Sequence, residues 1–373
     1  MRIILDYRPA LRERTGVGEY VHEIAAALAR LAPAAGDEVT LFSSSRKDRL
    51  PAAAVDGARV VDRRIPVRLL NLAWHRLEWP TVERLAHGRF DIAHSGHPLL
   101  MPSHTAAQVI TIHDLDFLEH PERTSREIRR DYPALVRDHA CRADLVVVSS
   151  QQTYAHVASA LGVEAERLAL CPAGAPPWPT RDPAERGTYL LFVGTLEPRK
   201  NIGVLLDAYS LLLERRADAP SLHLAGRSTP EAVAWLDRLT RPPLSGRVQY
   251  LGYVPAEDRR ALYAGAIALV VPSLTEGFGL TALEAMATGV PVVASNRGSL
   301  PELVADAGML IDPTDVEALA RALERVAFDT SDARTRAERG RERAAHFSWN
   351  RSAAELRRGY QRAIARGEAR RRR

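Results

Sequence analysis

The sequence predicts two doubly wound α/β domains facing each other across a cleft. Three observations predict it. The chain has 373 residues, enough for two separate cores. Short apolar runs that do not alternate with polar residues recur between amphipathic helical stretches, as in parallel sheets covered on both faces. That alternation stops once, at residues 171–183, where CPAGAPPWPTRDP holds five prolines, and then restarts. A proline-rich break of this kind marks an interdomain linker. The boundaries drawn are a first domain at 1–172, a linker at 173–185 and a second domain at 186–348.

Taken in order, residues 2–7 form a strand, 12–18 a polar glycine-bearing loop, and 19–31 an amphipathic helix closed before Pro33. Strands follow at 38–43, 91–94, 108–112 and 145–149, with helices at 71–85, 125–139 and 151–161. After the break, strands are expected at 189–194, 222–225, 248–251, 267–271 and 291–294. Helices are expected at 202–215, 231–239, 256–264, 280–288, 316–327, 332–345 and 349–365.

Bulk composition excludes several classes. Hydrophobic content of 46% and charged content of 26% are globular values. Two cysteines, Cys141 and Cys171, make no disulfide framework and no metal cluster, which fits a reducing compartment. MRIILDYRP opens on a strand and not a signal peptide, and no apolar run approaches the length of a membrane span, so a soluble protein is expected. Residues 341–373 carry 11 Arg and 3 Glu, a net +8, so the remaining 340 residues of this +5 chain sum to −3. The Arg-rich end is either a solvated terminus or an arm for an anionic membrane surface. No nucleic-acid partner is expected.

The chemistry concentrates in residues 273–302, SLTEGFGLTALEAMATGVPVVASNRGSLPE. The loop Glu276-Gly277-Phe278-Gly279 leads into a helix, and its glycines allow the backbone to approach a ligand closely. The helix start adds N–H groups and partial positive charge, which suit a phosphate. Glu276 and Glu284 have seven residues between them, so one carboxylate can face the mouth of a site and the other a neighbouring pocket. Two acids flanking a phosphate seat suit a sugar nucleotide; an ordinary surface loop and a helix-forming Glu is the plainer alternative.

A second group lies after the strand YLLFV, where Gly194-Thr195 leads to Arg199-Lys200 before the next helix. Adjacent cations at a helix start oppose its dipole unless an anion sits there, and a diphosphate would be that anion. Lys200 is one of only two lysines among 51 basic residues, a sign that a compact ammonium is wanted. A solvated basic loop is the alternative. His113 ends the strand QVITI, followed by Asp114. Thr15-Gly16-Val17-Gly18 has the form of a phosphate loop, but it lacks the full dinucleotide or Walker pattern, so neither NAD nor ATP is assigned.

Over nearly its whole length the chain resembles a retaining glycosyltransferase of family 4, with GT-B architecture and closest in style to the mannosyltransferase-like group 1 enzymes. The resemblance rests on GVGEY at 16–20, TIHDL at 111–115, SSQQT at 149–153, GTLEPRKN at 194–201, LGYVP at 251–255, and the 272–302 stretch with its E-x7-E pattern at Glu276 and Glu284.

The resemblance implies a set of roles. Arg199 and Lys200 would neutralise the donor diphosphate, Glu276 would contact the donor sugar and Glu284 the ribose. His113 would touch the sugar near the reacting carbon. Gly194 and Thr195 would line the diphosphate. Backbone groups around Gly277, Phe278, Gly279, Leu280 and Thr281 would bind phosphate or sugar. Gly16 and Gly18 would let the first loop approach donor or acceptor. The final helix, about 349–373, would cross back onto the first domain. No metal and no cofactor are implied, the co-substrate being a nucleotide sugar. The motif variants favour GDP-mannose, with UDP-hexoses as alternatives. The acceptor implied is a growing oligosaccharide or a lipid-linked sugar, and the location cytoplasmic, peripheral at the inner membrane face if the Arg-rich end docks there. A nucleotide-sugar epimerase would need its own acid–base carboxylates. A non-catalytic subunit would be expected to lose His113, Glu276 or the Arg199-Lys200 pair, and an NAD oxidoreductase needs the missing fingerprint.

Overall fold

The computed structural model describes residues 1–11, 14, 16–121, 126–182 and 185–372, with the side chains of 126–131 and 370–372 left aside. It divides into two compact units: Met1–Gly174 with Ser348–Arg373, and Ala175–Phe347.

The first unit is built on a seven-stranded sheet. Its strands are β1 (Arg2–Asp6), β2 (Glu38–Ser44), β3 (Arg59–Arg63), β4 (Ile92–Ser95), β5 (Ala107–Ile112), β6 (Leu145–Val148) and β7 (Leu168–Leu170). They lie in the order β3-β2-β1-β4-β5-β6-β7, and every pairing is parallel. The second unit holds β8 (Tyr189–Val193), β9 (Ser221–Ala225), β10 (Val248–Gly252), β11 (Ala266–Val271), β12 (Val292–Ser295) and β13 (Met309–Ile311). Their order is β10-β9-β8-β11-β12-β13, again all parallel. Both orders run outward from the first strand and then reverse, the doubly wound arrangement. The central strands are buried on both faces, which is why IIL, LVVV and ALVV are continuous apolar runs.

The structure adds β3, β7 and β13, which the sequence reading passed over. All three are edge strands paired on one side only; LAL and MLI are just three residues long and RVVDR is charged at both ends, so none shows the longer apolar run of a central strand. Two helical expectations are corrected. The stretch 71–85 is two helices, Val67–Leu77 and Val82–Ala86, separated at Glu78 (φ 49°) and Pro80, whose missing N–H cannot continue a helix. The helix expected to close before Pro33 runs from Gly16 to Ala35 and contains it. Short helices at Asp116–Glu119 and Leu300–Val304 were also unforeseen. Arg12, Glu13 and Thr15 of the expected loop, Ser125 of the expected helix, and Pro183 and Ala184 of the expected linker lie outside the described residues.

The proline-rich stretch is not a bare linker. From Ala175 it belongs to the second unit. Arg181 donates to the carbonyls of Ala266 (2.6 Å) and Gly289 (3.2 Å), and its own N–H bonds Thr288 O at 2.9 Å. The final helix, Trp349–Arg372, packs in the first unit on helix Gly16–Ala35 and on β5, β6 and β7. Gly359 lets it settle there, because a Cβ would stand 2.8 Å from Leu145 Cδ2. Tyr360, fully buried, shares a 2.6 Å hydrogen bond with His94 Nδ1, and His94 Nε2 meets Thr111 Oγ1 at 2.8 Å.

Candidate functional site

Ligands of open parallel sheets bind beyond the carboxyl ends of the strands, where strand order reverses. In the second unit that point lies between β8 and β11. The loop after β8 carries Gly194, Thr195, Arg199 and Lys200, and the loop after β11 carries Ser273 and Glu276. The two loops are joined directly. Leu274 N–H donates to Arg199 O at 2.9 Å. Asn201 takes left-handed angles (φ 59°) and donates from Nδ2 to Pro272 O (3.2 Å) and Pro313 O (2.7 Å). Asn tolerates this conformation, and it turns the chain from the Pro198–Lys200 turn into helix Ile202–Arg215.

The centre of this arrangement is Glu276, 8% exposed. Lys200 Nζ and Ser273 Oγ each donate to Oε1 at 2.6 Å. Arg199 Nη1 lies 3.6 Å from Oε2, and Arg199 also donates to Thr275 O (3.2 Å) and Glu197 Oε1 (3.0 Å). Burial alone would raise the carboxyl's pKa, but the Lys200 and Arg199 charges and the Ser273 hydroxyl outweigh it and hold it below the ordinary value. Glu276 is therefore ionised, and the anion that the sequence demanded beside Arg199-Lys200 is in this structure its own carboxylate. Gly298 (φ 65°) secures the loop from behind. A Cβ there would lie 2.7 Å from Glu276 N and 2.9 Å from Glu276 O. Ser299 then holds that same carbonyl with its N–H (3.1 Å) and hydroxyl (2.9 Å).

From Glu276 the chain passes through Gly277, Phe278 and Gly279 into helix Leu280–Thr288 with Leu280 and Thr281 in its first turn. Its N-cap is Gly279 (φ 99°), and no side chain caps it. A helix start without a side-chain acceptor can take an external anion. Glu284, on the same helix, does not face open space. It is 3% exposed, with Arg259 Nη1 at 3.0 Å from Oε1 and Tyr263 Oη donating to Oε2 at 2.7 Å. Glu284 is clamped by helix Ala256–Ala264 through Arg259 and Tyr263. At the end of β8, Gly226 runs so close that a Cβ would come within 1.9 Å of Gly194 O.

The first unit has its own reversal point, between β1 and β4. Asp6 closes β1 fully buried, and Arg8 binds it through Nε (2.8 Å) and Nη2 (2.6 Å), while His97 Nε2 lies 3.3 Å away. Burial pushes the Asp6 carboxyl up, yet Arg8 and His97 hold it far below the usual range. His113 follows β5. Its Nε2–H donates to Gly96 O at 3.2 Å, and its ring stands edge-on to Tyr20 at 5.1 Å. Burial lowers its pKa, so it is a neutral imidazole. Gly16 and Gly18 are not in a loop but in the first turn of helix Gly16–Ala35. Gly18 is needed for packing, since a Cβ would lie 2.6 Å from Pro9 O, whereas Gly16 has open space around it.

Of the residues singled out from sequence, Arg199, Lys200, Glu276 and the Gly277–Thr281 run come together in the second unit. His113, Gly16 and Gly18 belong to the first. Sequence reasoning missed Ser273, Gly298, Arg259 and the Asp6–Arg8–His97 group. Asp6-x-Arg8 at the end of the first strand was a usable signal; Arg259, one of two adjacent arginines on a surface-patterned helix, gave none.

Comparison with known proteins bears on both units. Residues 14–179 match the model of Glycosyltransferase Family 4, and residues 187–329 that of Glycosyl transferases group 1. The chain is 34% identical to O-antigen chain mannosyltransferase B of Escherichia coli, over 94% of this chain and 96% of that one. It is 29% identical to D-inositol 3-phosphate glycosyltransferase of Paenarthrobacter aurescens, over 96% and 95%. Among solved structures, sucrose-phosphate synthase from Thermosynechococcus elongatus superposes with a TM-score of 0.78 at 25% identity, covering 98% and 99% of the two chains. WaaG, a glycosyltransferase involved in lipopolysaccharide biosynthesis, shares the fold with a TM-score of 0.72 at 18% identity, covering 95% and 98%.

Proposed function

Since this chain belongs to the group 1, family 4 glycosyltransferases and is a GT-B glycosyltransferase, we propose that it moves mannose from GDP-mannose to a hydroxyl of an oligosaccharide or lipid-linked acceptor, with retention of anomeric configuration. The observation that carries the reading is the Lys200–Glu276–Arg199 group at the strand-order reversal, in a chain 34% identical to a mannosyltransferase.

In this reading the bond from the sugar's anomeric carbon to the diphosphate oxygen breaks, and the acceptor oxygen bonds that carbon. The acceptor proton passes to the departing diphosphate. Negative charge grows on the leaving group, and Arg199 and Lys200 stabilise it as fixed cations that need no reorganisation. No metal or cofactor takes part in the step. Lys200 Nζ uses one of its three N–H donors on Glu276 and offers the others to the phosphate, while the Glu276 carboxylate accepts from the sugar hydroxyls. The amides at Gly279–Thr281 add hydrogen bonds to phosphate. Glu284, held by Arg259 and Tyr263, accepts from the ribose. In the first unit, neutral His113 has Nδ1 as its acceptor nitrogen for a sugar hydroxyl, and the open space at Gly16 admits a ligand. The protein acts on the cytoplasmic side. Among the described residues no helix is long and apolar enough to cross a membrane, and the 370–373 side chains lie outside them.

A thermal-shift panel of GDP, UDP, ADP and their sugar conjugates tests this. A ligand bound only by the folded chain stabilises it by about 2.7 kcal/mol at a hundredfold excess over its Kd. Shifts with GDP and GDP-mannose alone are expected. Shifts with UDP species instead replace mannose as the donor and keep the transferase; no shift at all rejects the site.

A further inference from the structure

Apolar exposure on this chain is concentrated in one place. Among the described residues the exposed large apolar side chains are Val17, Val67, Leu69, Leu72, Leu77, Trp79, Val233 and Leu310. Five of these eight fall in the thirteen residues 67–79. Helix Val67–Leu77 packs inward through Leu70 and Trp74, which are 1% and 2% exposed. At 100° per residue the opposite side of the helix should be polar. Here it carries Leu69 (60% exposed) and Leu72 (59%), with Arg68 and Arg76 one turn either side of Leu72. Leu77 (71%) and Trp79 (52%) continue the surface past the helix end.

Charge selects the occupant. Between positions 64 and 89 the chain has five arginines, Arg64, Arg68, Arg76, Arg84 and Arg89, all exposed. It has two acids, and both are engaged. Glu78 pairs with Arg142 at 2.5 Å, and Glu83 is bound by Ser103 Oγ at 2.5 Å and Thr105 N–H at 3.2 Å. The Arg84 guanidinium sits 5.5 Å over the Trp79 ring, so a cation and an amphipathic aromatic are presented together. Exposed leucines and a tryptophan among arginines, without free carboxylates, complement an anionic bilayer: apolar groups enter the headgroup boundary and guanidinium groups meet lipid phosphates.

We propose that the outward face of helix Val67–Leu77, extended by Leu77 and Trp79, is the surface by which this protein docks on an anionic lipid bilayer. The assignment is independent of the donor reading and of the Arg-rich terminus, and a single docking face on the first unit would hold the enzyme beside membrane-bound acceptors.

The test is co-sedimentation of the full chain with phosphatidylcholine vesicles, with and without about 30% phosphatidylglycerol, at about 0.15 M salt. Five chains are compared: wild type, Leu69→Ser with Leu72→Ser, Trp79→Ser, Trp79→Phe, and a chain ending at residue 369. The altered side chains are exposed, and melting temperature and nucleotide-induced thermal shift check that each chain folds. Wild type and the shortened chain are expected to bind anionic vesicles. The two helix-face variants should lose at least about fivefold in affinity. Trp79 should show a blue-shifted emission on binding, obtained as the difference between wild type and Trp79→Phe. Failure of wild type to bind anionic vesicles overturns the proposal, as does unchanged binding of both helix-face variants. Loss of binding only on removal of 370–373 assigns docking to the terminus instead. A wild-type dimer that becomes monomeric in the helix-face variants, with no vesicle binding, makes the surface a protein interface and likewise overturns it.

Discussion

Lys200 and Glu276 are 76 positions apart in sequence and meet at 2.6 Å, Nζ donating to Oε1. The contact joins the loop after β8 to the loop after β11, the two loops flanking the strand-order reversal. Both side chains are largely withdrawn from water, at 16% and 10% exposure. A buried pair of this kind is costly to leave half-made, and its Coulomb attraction roughly offsets its desolvation. Its use is therefore better sought in chemistry than in stability: a lysine held beside a carboxylate is an ammonium already in place for a phosphate.

Lys200→Ala should lower turnover by about 10²–10³-fold, the range found when one fixed electrostatic group is removed. Arg199, 3.6 Å from Glu276, keeps the carboxylate partly compensated, so the fold should survive. Initial rates with a saturating donor, together with a melting curve, check this. Near-normal turnover would remove Lys200 from the site.

Glu284→Ala should destabilise the second unit by about 3–5 kcal/mol, the scale for breaking a buried ion pair from one side. Arg259 loses its 3.0 Å partner, and the Tyr263 hydroxyl loses its acceptor in a fully buried position. Glu284→Gln keeps an acceptor and should cost less in folding while still weakening nucleotide affinity. Urea unfolding of both variants, paired with nucleotide titration, separates the two effects. Equal stability of wild type and the Ala variant would show that the clamp is not structural.

Gly298→Ala should impair activity more than its stability loss explains. A left-handed residue with a Cβ costs about 1–2 kcal/mol, and here the methyl would press on Glu276 N and O. Movement of that loop displaces the carboxylate from Lys200. The check is kcat against melting temperature in the same preparation. A variant with reduced stability and unchanged kcat would refute the coupling.

His94 should make the first unit less stable as pH falls from about 6.5 towards 3. Burial, with a smaller contribution from His113, lowers its folded pKa from 6.5 to about 3. In that interval the unfolded chain binds a proton that the folded chain does not, so stability is present above 6.5 and is lost as pH falls. Below about 3 this contribution levels off. His94→Gln should have a flatter stability–pH curve over the same interval, measured by urea midpoints. Tyr360→Phe should cost about 1–3 kcal/mol by leaving a buried ring nitrogen unsatisfied. Parallel curves for wild type and His94→Gln would show that His94 does not titrate in this way.

How much of the molecule was legible follows from the range of the forces involved. Helices Gln151–Leu161, Ile202–Arg215, Ala256–Ala264 and Leu280–Thr288 were read to the residue, because 3.6-residue periodicity and their end signals are local. Pro80 also spoke locally, as a helix break that the reading of 71–85 overlooked. Gly279 and Gly289, which begin and end the Leu280–Thr288 helix with positive φ, were legible for the same reason.

The sequence by itself determined the two alternating α/β units, the glycine loop entering a helix, the adjacent cations Arg199-Lys200 and the two spaced glutamates. Each is a feature of neighbours along the chain, set by backbone sterics, periodicity and charge. Only the tertiary structure decided what those groups touch. It placed Lys200 on Glu276, put Arg259 and Tyr263 against Glu284, moved Gly16 and Gly18 from a loop into a helix, tied His94 to Tyr360 over 266 positions, and left leucines on the outer side of helix Val67–Leu77. Pairings between distant segments depend on strand order and on which helix covers which face. Burial then fixes charge and hydrogen bonding, because a carboxylate or imidazole taken out of water must find its partner wherever the fold has brought one.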